Sequence, residues 1–389
     1  MGPDDDKRLA TAAALQTKAG AENQAKAFHI YEQLATAGNA KAMGQLANCY
    51  LTGQGVERNK ENNVKGLELA QRGAKAGDPY SMVLVGMCTS KGVGGLAKDP
   101  AEGFRWVERA AATGDASAVC YLGIFYATGA GVETDKAKAL QLFEKAGDGG
   151  DALAMYNAGA AYATGEGCGR DIGKAISWHS RAADVGKASS MTEIGKIFWT
   201  GAGVKKDSRR AVQWFRKAAE NGDPGGMGLL TLCLYAGDGV DKNFATAAQW
   251  ARRGSEARDP GSMYVYAACL LNGEGVKRDE QAGLQWLARS ASAGFEPAQR
   301  AALEVRKALE ARENDGRREQ NIRAVVGAVA LTAIAAAMLV ELHANGPGSL
   351  EDSICPRCRG NKVALLEDVG GLSGGKVRKC PVCDGAGHL

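Results

Sequence analysis

The chain has 389 residues, 45% of them hydrophobic and 24% charged, which fits a folded protein and excludes wholesale disorder. Forty-eight Lys plus Arg against 44 Asp plus Glu leave a formal net charge of only +4, too small to point to nucleic acid as the main partner. Fifty-three Gly against nine Pro suggest many tight turns in a regular architecture. From the start, Met1-Gly2-Pro3-Asp4-Asp5-Asp6-Lys7 is acidic and polar. It reads as neither a secretory signal, a transit peptide nor a myristoylation site. Residues 1–21 are expected to form a flexible N-terminus.

A repeating period governs most of the remaining chain. The turn Gly53-Gln54-Gly55-Val56 returns at Gly129, Gly201, Gly237 and Gly273, with variants at Gly92 and Gly165. Six residues after the first Gly of the turn stands Asn59, Asp135, Asp171, Asp207, Asn243 or Asp279; in the second unit, one residue longer, it is Asp99. Seven residues further lie Trp106, Leu142, Trp178, Trp214, Trp250 and Trp286. A closing Gly ends each unit at 38, 77, 114, 150, 186, 222 and 294, and Arg258 breaks that series once. Three interlocked series at one spacing define seven units over 39–294. Half units at about 22–38 (Phe28, Ile30, Tyr31, Leu34) and 295–312 (Leu303, Val305, Leu309) are expected to cap the array.

One unit can be read physically. In 187–222, Met191, Ile194, Ile197 and Phe198 recur at helical spacing. Gly201 and Gly203 turn the chain, and Asp207 can accept orphan N–H bonds at the start of the next helix. That helix aligns Ala211, Trp214, Phe215 and Ala218 on one face before Asn221-Gly222-Asp223-Pro224 stops it. Such a hairpin cannot bury its apolar face alone and must stack on its neighbours. These units resemble Sel-one-like repeats, relatives of the tetratricopeptide repeat, in the Gly-x-Gly-Val turn, the Asp, the Ala and Trp of the second helix, and the closing Ala-x-x-Gly-Asp (Ala111 to Asp115). The resemblance implies an all-α, right-handed α-solenoid over 22–312 that binds protein partners, with no catalytic activity and no small-molecule substrate.

Isolated reactive residues fit packing better than chemistry. Cys49, Cys88, Cys233 and Cys269 all precede a turn Gly by four residues, which marks a small buried position. Cys120, Cys168, His29 and His179 stand without a ligand constellation, and the Trp series reads as core. Trp199 falls outside that series, at a position held elsewhere by Leu51, Ala127, Ala163, Tyr235 or Leu271, and is the candidate partner-binding residue.

Beyond the array, 313–323 forms a basic linker. Ala324 to Val340 is a run without a charge, about 25 Å long as a helix, and 324–342 is expected to cross a membrane once. Six Lys or Arg in the twenty residues before it, against two in the twenty after, place the repeats on the cytosol-like side. The competing reading makes this run a capping helix of a soluble scaffold.

A second linker, 343–354, leads to 355–389. There Cys355-Pro356-Arg357-Cys358 and Cys380-Pro381-Val382-Cys383 are separated by 21 residues, a spacing suited to one structural zinc bound by Cys355, Cys358, Cys380 and Cys383. The motif Cys380-Pro381-Val382-Cys383-Asp384-Gly385-Ala386-Gly387 resembles half of the cysteine-rich zinc module of DnaJ-type co-chaperones. No J-domain signature accompanies it. Together these features suggest a membrane-anchored adaptor, with quality control or complex assembly as the family analogy. The alternative is a chaperone-like or thiol–disulfide-active protein using the Cys-x-x-Cys pairs.

Overall fold

A computed structural model describes residues 3–16 and 21–315. Among them the chain is entirely helical. Two helices open it, α1 (Pro3–Gln16) and α2 (Ala21–Thr36). Seven hairpins follow: α3 (Ala40–Thr52) with α4 (Lys60–Lys75), α5 (Pro79–Lys91) with α6 (Pro100–Ala111), α7 (Ala116–Thr128) with α8 (Lys136–Asp148), and α9 (Ala152–Thr164) with α10 (Ile172–Asp184). The last three are α11 (Ala188–Thr200) with α12 (Ser208–Glu220), α13 (Pro224–Ala236) with α14 (Phe244–Glu256), and α15 (Pro260–Asn272) with α16 (Glu280–Ser292); α17 (Glu296–Asp315) ends the described chain.

Each helix packs on the next, which makes the array a solenoid without a single globular core. Odd-numbered helices also pack on the next odd-numbered helix: α3 on α5, α5 on α7, α7 on α9, α11 on α13 and α13 on α15. Even-numbered helices do not approach one another comparably. The first helix of each hairpin therefore lines the inner, tighter layer, and the second helix forms the outer one.

The caps explain where each helix begins. At every outer helix an Asn or Asp side chain (59, 99, 135, 171, 207, 243, 279) accepts a backbone N–H from three residues on, at 2.8–3.0 Å. Inner helices use Asn39, Asp78, Asp115, Asp151, Asp223 and Asp259 in the same way. Only α11 departs, since Lys187 at that position makes no side-chain cap.

Two kinds of glycine close the units. The closing Gly, such as Gly150 at φ +91°, has open space where a Cβ would stand. It is needed for backbone shape alone. Arg258 holds φ +64° in the same place, so this series tolerates a side chain at the cost of strain. Arg258→Gly is expected to stabilise the fold by up to about 1 kcal/mol, read as a raised urea midpoint. By contrast, the second Gly of each Gly-x-Gly turn packs against the start of the outer helix one unit back. A Cβ on Gly131 would fall on the Pro100 carbonyl, on Gly167 on that of Lys136, and on Gly275 on that of Phe244.

Facing helices are matched in size at one register. The eighth residue of the inner helix meets the eighth residue of its outer partner. Gly123 leaves room for Phe143, Gly159 for His179, Gly195 for Phe215 and Gly86 for Val107. Units with Ala47 or Ala267 there carry the branched Leu67 and Leu287, and Thr231 is matched by Ala251. A large side chain thus sits over a small one in each layer.

The structure differs from the sequence expectations in four places. Within the expected flexible N-terminus, residues 3–16 form helix α1. Asp4, Asp5 and Asp6 lie in its first turn, where the helix dipole favours acids. Ala12 is fully buried and Gln16 hydrogen-bonds Gln54 in the first hairpin's turn. The Trp series is half-buried, not core: each indole has a cation over it from one turn along, Arg109 on Trp106 at 4.7 Å, Arg181 on Trp178 at 4.1 Å, Lys217 on Trp214 at 4.6 Å, Arg253 on Trp250 at 4.8 Å and Arg289 on Trp286 at 4.6 Å. Buried aromatics of the outer layer are instead Phe143 and Phe215. In α17, Ala298, Ala301 and Val305 pack on the last hairpin while Leu303 is exposed, and the side chain of Leu309 lies outside the described residues. Finally, α17 continues through Asn314-Asp315, into the segment expected as the linker 313–323.

Candidate functional site

Half-exposed side chains of the inner helices recur at the second, sixth and ninth positions, the spacing of one helical face. In the third unit they are Ser117, Tyr121 and Ile124; in the fourth, Leu153, Asn157 and Ala160; in the fifth, Ser189, Glu193 and Lys196. These faces occupy matching positions in successive units and together make one strip of the inner layer. Tyrosine, amide, aliphatic and charged groups alternate along it. Such a surface can hydrogen-bond and desolvate an extended or helical protein segment. Glu193 and Lys196 pair at 3.1 Å within it, and Lys187 lies over the Tyr156 ring at 5.7 Å. Burial raises the phenol pKa of Tyr121 and Tyr156, so both remain neutral donors at pH 7. Beyond the fifth unit the strip becomes apolar and closed, with Leu229, Leu232 and Val265 buried.

Trp199 does not line this strip. It is 4% exposed and edge-on to Phe215, with ring centroids 5.9 Å apart. Its Nε1–H donates to the Asp238 carboxylate at 2.6 Å, in the Gly-Asp-Gly turn of the next unit. Tyr235 holds the equivalent place one unit on, and its hydroxyl donates to Glu274 in the following turn. Both are clamps between units. The signal was present in sequence: an aromatic donor at one register and an acid between the two turn glycines of the next unit.

His179 and the buried cysteines are packing groups, whereas His29 is exposed beside Glu32 at 3.4 Å. Cys49, Cys88, Cys120, Cys233 and Cys269 are buried, while Cys168 is half-buried. Desolvation pushes the thiols of Cys49 and Cys88 up to about 11 and those of Cys233 and Cys269 up to about 12. All four therefore stay protonated at neutral pH, which suits packing and not thiolate chemistry. His179 is 1% exposed, with Ser190 Oγ 3.4 Å from Nδ1 and the Tyr156 ring 5.4 Å away. Burial holds its imidazole down at about 4.

That depression makes a pH prediction. The unfolded chain takes up the His179 proton first, near its ordinary 6.5. The neutral imidazole's contribution is therefore complete above pH 6.5 and is lost as pH falls towards 4, by up to about 3 kcal/mol. His179→Phe copies the residue of the third and fifth units and should flatten this part of the pH profile. Urea midpoints at neutral and mildly acid pH, compared between the two proteins, check it.

The expected zinc ligands Cys355, Cys358, Cys380 and Cys383, and the expected span 324–342, lie outside the described residues. Among the described residues no cluster of His, Cys, Asp or Glu could hold a metal ion, and no helix is long and apolar enough to cross a membrane.

Comparison with known proteins agrees with this architecture. The chain is similar to a Sel1 repeat protein from Oxalobacter formigenes, 28% identical over 64% of this chain and 99% of that one, with a TM-score of 0.55. It also resembles a protective antigen of uropathogenic Escherichia coli strains displaying an SLR fold, 21% identical over 92% of this chain and 85% of that one, with a TM-score of 0.40. No curated protein is significantly similar to it. The family model for the Sel1 repeat matches residues 18–39, 40–78, 79–115, 116–151, 152–187, 188–223, 226–259 and 260–295. Seven of these segments coincide with the seven hairpins, and the first covers the half unit of α2. With stacked hairpins, Asn or Asp caps and paired turn glycines in each, the chain belongs to the Sel1 repeat family, whose members are protein-interaction scaffolds.

Proposed function

We propose that this protein is a membrane-anchored, non-enzymatic scaffold whose inner helix strip holds a protein partner. The observation that carries the scaffold reading is the strip itself: half-exposed Tyr121, Ile124, Leu153, Asn157 and Glu193 at matching positions on the inner helices of three successive units. The uncharged run Ala324 to Val340, with basic residues before it, supports the anchor and puts the repeats on the cytosol-like side. Cys355, Cys358, Cys380 and Cys383 would hold one zinc in a small tail module that has too few residues for a core of its own. A role in protein quality control or complex assembly accords with the resemblance of the array to Sel-one-like repeat proteins. One observation favours a second reading: the charge asymmetry sends the tail across the membrane, where an oxidising compartment would make the Cys-x-x-Cys pairs disulfides or redox groups.

Fractionation and purification test the proposal together. Full-length protein is expected to stay with carbonate-washed membranes, while a chain ending at Asp315 is released. Purified from detergent under reducing conditions, the full chain should carry one zinc and a defined protein partner. Release of the full chain by carbonate would remove the anchor. Two tail disulfides without zinc would favour the second reading.

A further inference from the structure

The fifth unit carries a feature the others lack. Its Gly-x-Gly turn leads into Lys205-Lys206-Asp207-Ser208-Arg209-Arg210, four exposed cations in six residues. They surround an open depression of about 880 Å³ whose apolar part is formed by Ile176, Phe198 and Val204. The Arg210 guanidinium lies over the Phe198 ring at 4.3 Å, which holds it at the edge of this floor. Asp207 is the single carboxylate in the run, and it is engaged as the cap of α12, accepting the Arg210 N–H at 2.9 Å. Among the described residues, Lys205, Lys206 and Arg209 make no ion pair.

Equivalent turns elsewhere are balanced. Lys136 pairs with Glu166 at 2.8 Å, and Arg278 with Glu280 at 3.2 Å. Arg58 and Lys60 stand between Glu57 and Glu61, and Lys242 follows Asp238 and Asp241. Four clustered cations with a single carboxylate among them are thus confined to one unit of the array.

We propose that this depression docks an acidic peptide segment of a protein partner, with carboxylates on the four cations and an apolar side chain on the Phe198 floor. The proposal rests on the scaffold reading only in taking a protein as the partner, and its surface is separate from the inner strip. Charge complementarity selects an acidic ligand. Its confinement to one unit disfavours a nucleic acid, whose backbone needs a cationic track, and the recessed floor disfavours a flat lipid surface. An open volume of this size accepts a short side-chain cluster, not a folded domain.

The test uses the full chain in detergent and a fluorescein-labelled peptide of Glu and Asp with a central Phe and Leu. Fluorescence anisotropy should show saturable binding that weakens with added salt. Lys205→Glu with Arg209→Glu should weaken it at least about tenfold at unchanged helical circular dichroism. Arg58→Glu with Lys60→Glu makes the same change in net charge in the first unit and should leave binding within about twofold. No binding, or equal loss in both double variants, would overturn the proposal. So would oligouridylate or phosphatidylserine vesicles binding in a Lys205- and Arg209-dependent way while the peptide does not. Peptide failure with partner recovery from membranes intact removes this site alone. Peptide binding without any recovered partner removes the scaffold reading alone.

Discussion

Phe215→Ala should cost about 3–5 kcal/mol and lower the midpoint of the fifth unit's unfolding more than any surface change. Phe215 is fully buried in α12, packed over Gly195 and edge-on to Trp199. Truncation removes most of its buried apolar area and leaves a cavity that a glycine opposite cannot fill. It also releases Trp199, the clamp to the next unit. The size matching makes a sharper expectation. Gly195→Ala alone places a methyl against the Phe215 ring and should cost about 1–3 kcal/mol by overpacking. Combined with Phe215→Leu it recreates the Ala–Leu pair of the first and seventh units. The double variant should be more stable than the sum of the singles predicts, and urea unfolding of the four proteins measures that coupling. Simple additivity would mean that the two positions do not share a space.

Gly131→Ala should destabilise by about 2–5 kcal/mol, and for a different reason. Its φ of +75° strains any side chain by about 1–2 kcal/mol. In addition the new methyl falls on the Pro100 carbonyl at the start of α6, so the third unit must shift away from the second. Gly150→Ala provides the contrast. Its φ is +91° but nothing stands near the added methyl, so strain alone applies and the cost should stay near 1–2 kcal/mol. Thermal melts of both variants separate conformational strain from lost stacking. Equal costs would show that the turn glycines serve only the backbone, as Arg258 does at its position.

These contrasts also mark how much of the fold was legible in residues alone. Helix starts were, because Asp or Asn at a cap and Gly at a turn act within a few residues of themselves. The period carried the hairpins and their stacking. What a one-dimensional pattern hides is which residue of the next layer stands opposite. Gly195 and Phe215 are twenty positions apart, and their complementarity appears only when α11 and α12 are laid side by side. For the same reason the Trp series reads as core, although Arg or Lys one turn on places a cation over each half-buried indole face. Trp199 reads as free because its partner, Asp238, belongs to another unit. The acidic start at Asp4 to Asp6 resembles a solvated tail, yet it suits the first turn of α1, which Gln16 ties to the first hairpin.

The inner strip as a protein-binding surface is the central claim, and site-specific photocrosslinking addresses it most directly. A photoreactive residue at Tyr121, on the inner layer, is compared with one at Arg109, on the outer layer, each in the full chain in its native cells. A discrete protein adduct from position 121, absent from position 109, is the predicted result. Equal adducts from both positions, or none from 121 while the chain remains folded, would contradict it.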